Sequence, residues 1–196
     1  MPFSQGKIVR LGQVAAVAVA SFLFTLTANA QIPTSGNVFF GYSFYNTDLS
    51  STNRSNLNGW EASVEGKIFP FVGLVGDISG YYGSQIAVNP GSTCAIGVTC
   101  APLYASTNIQ NFLFGPRVSF SVGKIRPFAE ALFGGGHVNA NAAGSDTSFA
   151  TAVGGGIDYK IIRPVALRVQ GDYVQTRFFE ATQNNLRLST GIVFRF

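Results

Sequence analysis

From Asn37 to the last residue, apolar and polar side chains alternate with a period of two. In NVFFGYSFYN, Val38, Phe40, Tyr42 and Phe44 fall on one face. In GWEASVEGKI, Trp60, Ala62, Val64 and Ile68 oppose Glu61, Ser63, Glu65 and Lys67. In FVGLVGDISGYY, Val72, Leu74 and Ile78 oppose Gly73, Asp77 and Ser79. Phe112, Phe114, Val118 and Phe120 oppose Gly115, Arg117 and Ser119. Ala129, Ala131 and Phe133 oppose Arg126, Glu130 and Gly134. Phe149, Val153, Ile157 and Tyr159 oppose Gly154, Gly156, Asp158 and Lys160. Leu167, Val169 and Tyr173 oppose Arg168, Gln170 and Asp172. Leu186, Leu188, Thr190, Ile192, Phe194 and Phe196 alternate with Arg187, Ser189, Gly191, Val193 and Arg195. A period of two is the mark of a β-strand, so the pattern predicts eight strands.

The connections alternate too. FPF, SVGKI and KIIRP are tight. NTDLSSTNRSNLN, the stretch around the cysteines, NANAAGSDTS and RFFEATQNN are longer and polar. Tight turns at one end and long loops at the other predict an antiparallel up-and-down meander with both ends at the tight-turn side.

Two eight-stranded barrels fit, and the side chains choose between them. The polar face is rich in Gly, Ser and Ala with charges of both signs near strand centres. Such residues suit a narrow lumen, which eight strands leave only wide enough for side chains. The other face carries too many bulky groups to be enclosed. The polarity is therefore inverted, apolar outside and polar inside, as in a transmembrane β-barrel. Closure also satisfies every backbone donor and acceptor, which lipid requires. Composition agrees: 11% of residues are charged and 46% hydrophobic, against about 25% charged in an average soluble domain.

The inward charges define a candidate site. Glu61, Glu65, Asp77, Glu130, Asp158 and Asp172 supply acids; Lys67, Arg117, Arg126, Lys160, Arg168, Arg187 and Arg195 supply bases. Unpaired charges in a dry lumen are costly, so a salt-bridge network across the lumen is expected. Arg117 with Glu130 is the first pair expected, because both point inward on adjacent strands. The network is read as filling and stiffening the barrel. The alternative is a gated, low-conductance ion path through rearranging pairs.

The N-terminus has Lys7 and Arg10, an apolar core from about Val14 to Leu26, and ANA before Gln31. That order predicts a helical secretory signal peptide over 1–30, cleaved between Ala30 and Gln31, and a barrel domain over 31–196. An uncleaved membrane anchor is the alternative. Without Lys7 and Arg10 the formal charge falls from +4 to +2, and the remaining bases form no run, so nucleic acid is not an expected partner. Cys94 and Cys100, the only cysteines, are expected to form a disulfide in the oxidising compartment that export implies. No His, Asp or Glu lies beside them, which argues against a metal site.

The closing GIVFRF, with Phe194 and Phe196 on the apolar face, resembles the C-terminal strand of the small outer-membrane β-barrels of Gram-negative bacteria, the family of the OmpA transmembrane domain and OmpX. FLFGPRVSF and PFAEALFGGGHV resemble stretches common in that group. The resemblance implies a location in the outer membrane, with lipid and lipopolysaccharide around the wall and loops outside. It implies that Ile192, Phe194 and Phe196 form the signal read by the barrel assembly machinery. A monomer with no cofactor and a structural or surface-interaction role follows, the loops facing an unidentified extracellular ligand.

His137, the only histidine, is the candidate residue for catalysis. Some barrels of this kind modify lipid A with a His-x-Ser motif; here the residues read HVN, and the serine is missing. Ser145 and Asp146 are expected in the loop that follows. The GGG runs at 134–136 and 154–156 precede neither a Lys-Ser/Thr pair nor a helix, so they are not phosphate loops. Trp60, Tyr42, Tyr45, Tyr81, Tyr82, Tyr159 and Tyr173 are expected in interfacial girdles.

Overall fold

The computed structural model describes residues 35–50, 53–88, 93–95, 98–99, 103–141 and 144–196. Eight strands form the wall: β1 Gly36–Ser50, β2 Asn53–Lys67, β3 Val72–Val88, β4 Leu103–Ser119, β5 Ile125–Ala140, β6 Gly144–Lys160, β7 Val165–Thr176 and β8 Gln183–Arg195. Each pairs antiparallel with its neighbour in sequence, and β1 pairs with β8 to close the barrel. A small hairpin of Thr93–Ala95 and Val98–Thr99 lies between β3 and β4. The signal peptide, with Ala30 and Gln31, falls outside the described residues, as do Cys100 and the side chain of Cys94.

The two faces follow the alternation. Val38, Phe40, Val64, Leu74, Phe112, Phe114, Val153, Val169 and Phe194 are exposed on the outer wall, while Glu61, Asp77, Arg117, Asp158, Arg168 and Arg187 are buried inside. The tight turns at 68–71, 120–124 and 161–164 all lie at one end. In the second of these, Val122 and Ile125 exchange backbone hydrogen bonds around Gly123 and Lys124. Gly123 takes φ +62°, which a hairpin turn demands at its first central position and glycine adopts freely.

At the other end the strands outrun the expectation. The polar stretch 46–58, expected as a loop, is mostly ladder: Asn46 pairs with Asn56, Thr47 with Ser55 and Ser50 with Asn53. Ser145 and Asp146 are also in a strand, paired with Asn139 and Val138. Polar side chains signalled a loop, yet the ladder satisfies the backbone regardless of side-chain polarity. The side chains of Asn46 and Asn56 then bond each other at 2.7 Å.

The interior is not uniformly polar. Tyr45, Leu57, Tyr81, Ile109, Val138 and Val174 form a buried apolar cluster with Phe178 toward the long-loop end. Tyr45 and Tyr81 are therefore not girdle residues: both are fully buried, with rings stacked at 4.3 Å. Parity on their strands, which pairs each with inward Ser43 or Ser79, outweighs their position near strand ends. Tyr42, Trp60, Tyr82, Tyr159 and Tyr173 do lie on the outer wall.

Candidate functional site: the packed lumen and its outer mouth

The lumen charges fall into two groups. Around the barrel's middle, Arg187 is fully buried among acids. Its Nε donates to Asp172 at 2.8 Å and its Nη1 to Asp77 at 2.8 Å, and Glu61 lies 3.5 Å from Nε. Glu61 also accepts from Gln170 at 2.6 Å and from the Ser189 hydroxyl at 2.5 Å. One guanidinium thus ties β8 to acids from β2, β3 and β7.

The second group lies toward the tight turns. Arg117 donates through Nε to Glu130 at 2.7 Å and reaches Glu65 at 3.3 Å. Arg117 and Glu130 are direct partners across β4 and β5, so register alone delivers this pair. Arg126 donates to Glu65 at 2.7 Å and Arg168 to Asp158 at 2.7 Å; Arg195 adds a contact to Asp158 at 3.2 Å. Asn37 donates to Glu65 at 2.7 Å. Lys67 has no carboxylate partner among the described residues; its ammonium donates to the Pro70 carbonyl and the Ser119 hydroxyl.

Phe128 was not singled out by the sequence, yet it organises this group. The Arg117 guanidinium lies 4.4 Å from its ring centre and that of Arg168 4.6 Å. Phe39 takes Arg168 at 5.1 Å. Aromatic faces hold the two like charges by cation–π attraction while excluding water between them. The signal was present: Phe128 shares inward parity with Arg126 and Glu130.

Residues 177–182 connect β7 to β8 at the long-loop end. Phe178 is fully buried, with its ring against Gly136: a Cβ there would stand 2.9 Å from Phe178 Cζ. Gln183 fastens this segment on both sides, accepting from the Phe178 N–H and donating to its carbonyl, each at 2.9 Å. Asp146 accepts from the Phe179 N–H at 2.5 Å. Phe179 (φ 52°) and Glu180 (φ 62°) both take left-handed backbone. For residues with a Cβ that costs about 1–2 kcal/mol each.

His137 faces outward, bonded to the Thr147 hydroxyl at 2.8 Å; Asp146 points to the opposite face of the same sheet. Ser145 shares the outward face of Thr147. The structure therefore does not bring His137 and Asp146 together. His137 belongs to an outer polar rim with its register neighbours Gln110 and Thr147. Tyr42 donates to Asn58 at that rim, and Tyr173 to Asn184 at 2.6 Å.

Ile192, Phe194 and Phe196 lie exposed on the outer wall of the closing strand. Phe196 and Gly36 exchange both backbone hydrogen bonds, at 3.0 and 3.1 Å, so the seam is paired to the last residue.

No protein-family model matches the chain, and no curated protein does. Among solved structures, the neisserial surface protein A, NspA, matches with a TM-score of 0.65 at 14% identity, covering 82% of this chain and 97% of that one. Ail, the attachment invasion locus protein of Yersinia pestis, solved in complex with the heparin analogue sucrose octasulfate, matches with a TM-score of 0.54 at 14% identity, covering 83% and 98%. The chain has the fold of the small outer-membrane β-barrels. Within that fold the described residues form an apolar outer band, a charge-filled bore and a buried aromatic side chain, Phe178, at the long-loop end.

Proposed function

We propose that the chain is an outer-membrane barrel with its tight turns and both ends in the periplasm and its long loops outside. Its lumen is packed shut, and it acts through its outer rim as a surface-interaction and structural protein. The observation that carries this reading is the pairing of an apolar outer wall with a blocked bore. Every strand presents apolar groups outward through its middle and polar groups such as Asn46, Gln110, His137, Gln175 and Asn184 at the long-loop end. The bore is crossed by the Arg117 and Arg187 ion pairs and capped by Phe178. The rim mixes amides and hydroxyls with Arg54, Asp146, Arg177 and Glu180, which suits a polar, hydrogen-bonding ligand.

Three measurements test it together. The folded protein should migrate differently from its boiled form on a gel. An epitope inserted after Asn141 should be labelled on intact cells. Planar bilayers should show no persistent channels; channels altered by Arg117→Ala would replace this reading with an ion path.

The closing strand yields a separate expectation. Phe196 is proposed to belong to the signal that the assembly machinery reads, alongside Ile192 and Phe194. Deleting it should lower outer-membrane yield several-fold while the purified variant still refolds in detergent. Normal yield in cells would remove the signal role and leave the barrel intact.

A further inference from the structure

We propose that the outer half of the lumen is a binding chamber for a single aromatic ring carrying one hydrogen-bonding group, and that Phe178 is its resident occupant. This goes beyond the surface role above and depends only on the folded barrel, so it can fail without that reading failing.

Four observations support it. The Phe178 ring enters from the mouth rather than from the wall, and no strand supplies it. The wall around it is made of small and aliphatic groups: Gly136, Val138, Ala150, Ala152 and Val174. The latch is polar and local, formed by Gln183 and Asp146, and both residues after Phe178 take left-handed backbone. An inserted ring held in place by strained backbone and a few hydrogen bonds is one that another ring can displace.

The fourth observation gives the ligand its polar group. Asn111 is fully buried, and among the described residues its side-chain amide makes no close hydrogen bond, with the Tyr45 hydroxyl as a polar neighbour. Its Oδ1 and the tip of the Phe178 ring sit over the same glycine, 2.8 and 2.9 Å from where a Gly136 Cβ would be. The hydrocarbon ring of Phe178 offers that amide no partner from its side, and buried polar groups normally have close ones. A ring with a hydroxyl in the place of Phe178 would donate to Asn111 Oδ1. The chamber is also a dead end. Below it lie the stacked Tyr45 and Tyr81 rings and the Arg187 cluster, so a ligand enters and leaves by the mouth.

Because the resident ring competes, ligand affinity is reduced by the fraction of barrels whose mouth is open. The test uses phenol as the probe and the Ile109 and Val138 methyl signals as the readout, with the barrel in lipid nanodiscs. Phe178→Ala should give saturable shifts at phenol concentrations at least tenfold lower than the unaltered chain needs. Gln183→Ala, which keeps the ring but releases the latch, should fall between the two. Adding Asn111→Leu to Phe178→Ala should abolish the preference for phenol over toluene.

The proposal is overturned if Phe178→Ala shows no saturable shift, or if it and the unaltered chain saturate at the same concentration. If Phe178→Ala does not fold, Gln183→Ala decides. Half-saturation equal to that of the unaltered chain then overturns the proposal, and a lower value supports it.

Discussion

Replacing Arg187 with Met is expected to destabilise the barrel by about 3–5 kcal/mol, read as a shifted midpoint in urea unfolding from lipid vesicles. The reason is the ratio around it. Asp77, Asp172 and Glu61 all lie within 3.5 Å of this one guanidinium, and all are buried. Removing it leaves three carboxylates in a low-dielectric bore with no cation to face. The same logic predicts the rescue. Arg187→Met combined with Glu61→Gln, Asp77→Asn and Asp172→Asn should recover most of the loss, because a neutral packed interior avoids desolvating charge. Arg195→Met serves as the contrast. Its partner Asp158 keeps Arg168, and its own side chain is one-quarter exposed, so the loss should be small. Equal losses for Arg187→Met and Arg195→Met would mean that the central cluster is not what holds the strands together.

Val169→Arg is expected to cost about 2–4 kcal/mol, whereas Gln175→Arg on the same face of the same strand should cost about 0–1. Val169 is mid-strand on β7, exposed on the outer wall between Ile157 and Thr190. Gln175 is six residues nearer the mouth, beside Asn184 at 3.3 Å. In water both arginines would be tolerated. Only a hydrocarbon surround makes the first expensive and the second cheap. Urea titration in vesicles measures the difference, and equal costs would remove the lipid-facing reading of the wall.

Strand parity was legible because a period of two needs no tertiary information. Glu61, Asp77 and Arg187 could be assigned inward from their neighbours alone, and the Arg117–Glu130 pair follows from one shared register. Four things were hidden. Asn46 to Asn58 reads as a loop because side-chain polarity reports the surroundings, whereas the ladder continues regardless of it. For Tyr45 and Tyr81 residue type points to the interface, and strand parity is the better guide. Phe178 follows the end of β7, where strand periodicity stops. Its burial depends on a backbone turn and a clamp from Gln183 that no local pattern encodes. Triads such as Glu65 with Arg117 and Arg126 join residues more than fifty positions apart, so they depend on how the ring closes.

The seam between Gly36 and Phe196 has a mechanical meaning. Both strands of the closing pair leave the barrel at the same end, where Gly36 at the start of β1 and Phe196 just after β8 hold each other by two backbone hydrogen bonds. Tension applied to those two residues would load that rung alone, then the next, opening the wall like a zipper. The same strands pulled along their length would share the load over the whole ladder, from Asn37–Arg195 to Asn46–Leu186. The barrel is therefore weak to peeling at one point on its rim and strong to shear everywhere else.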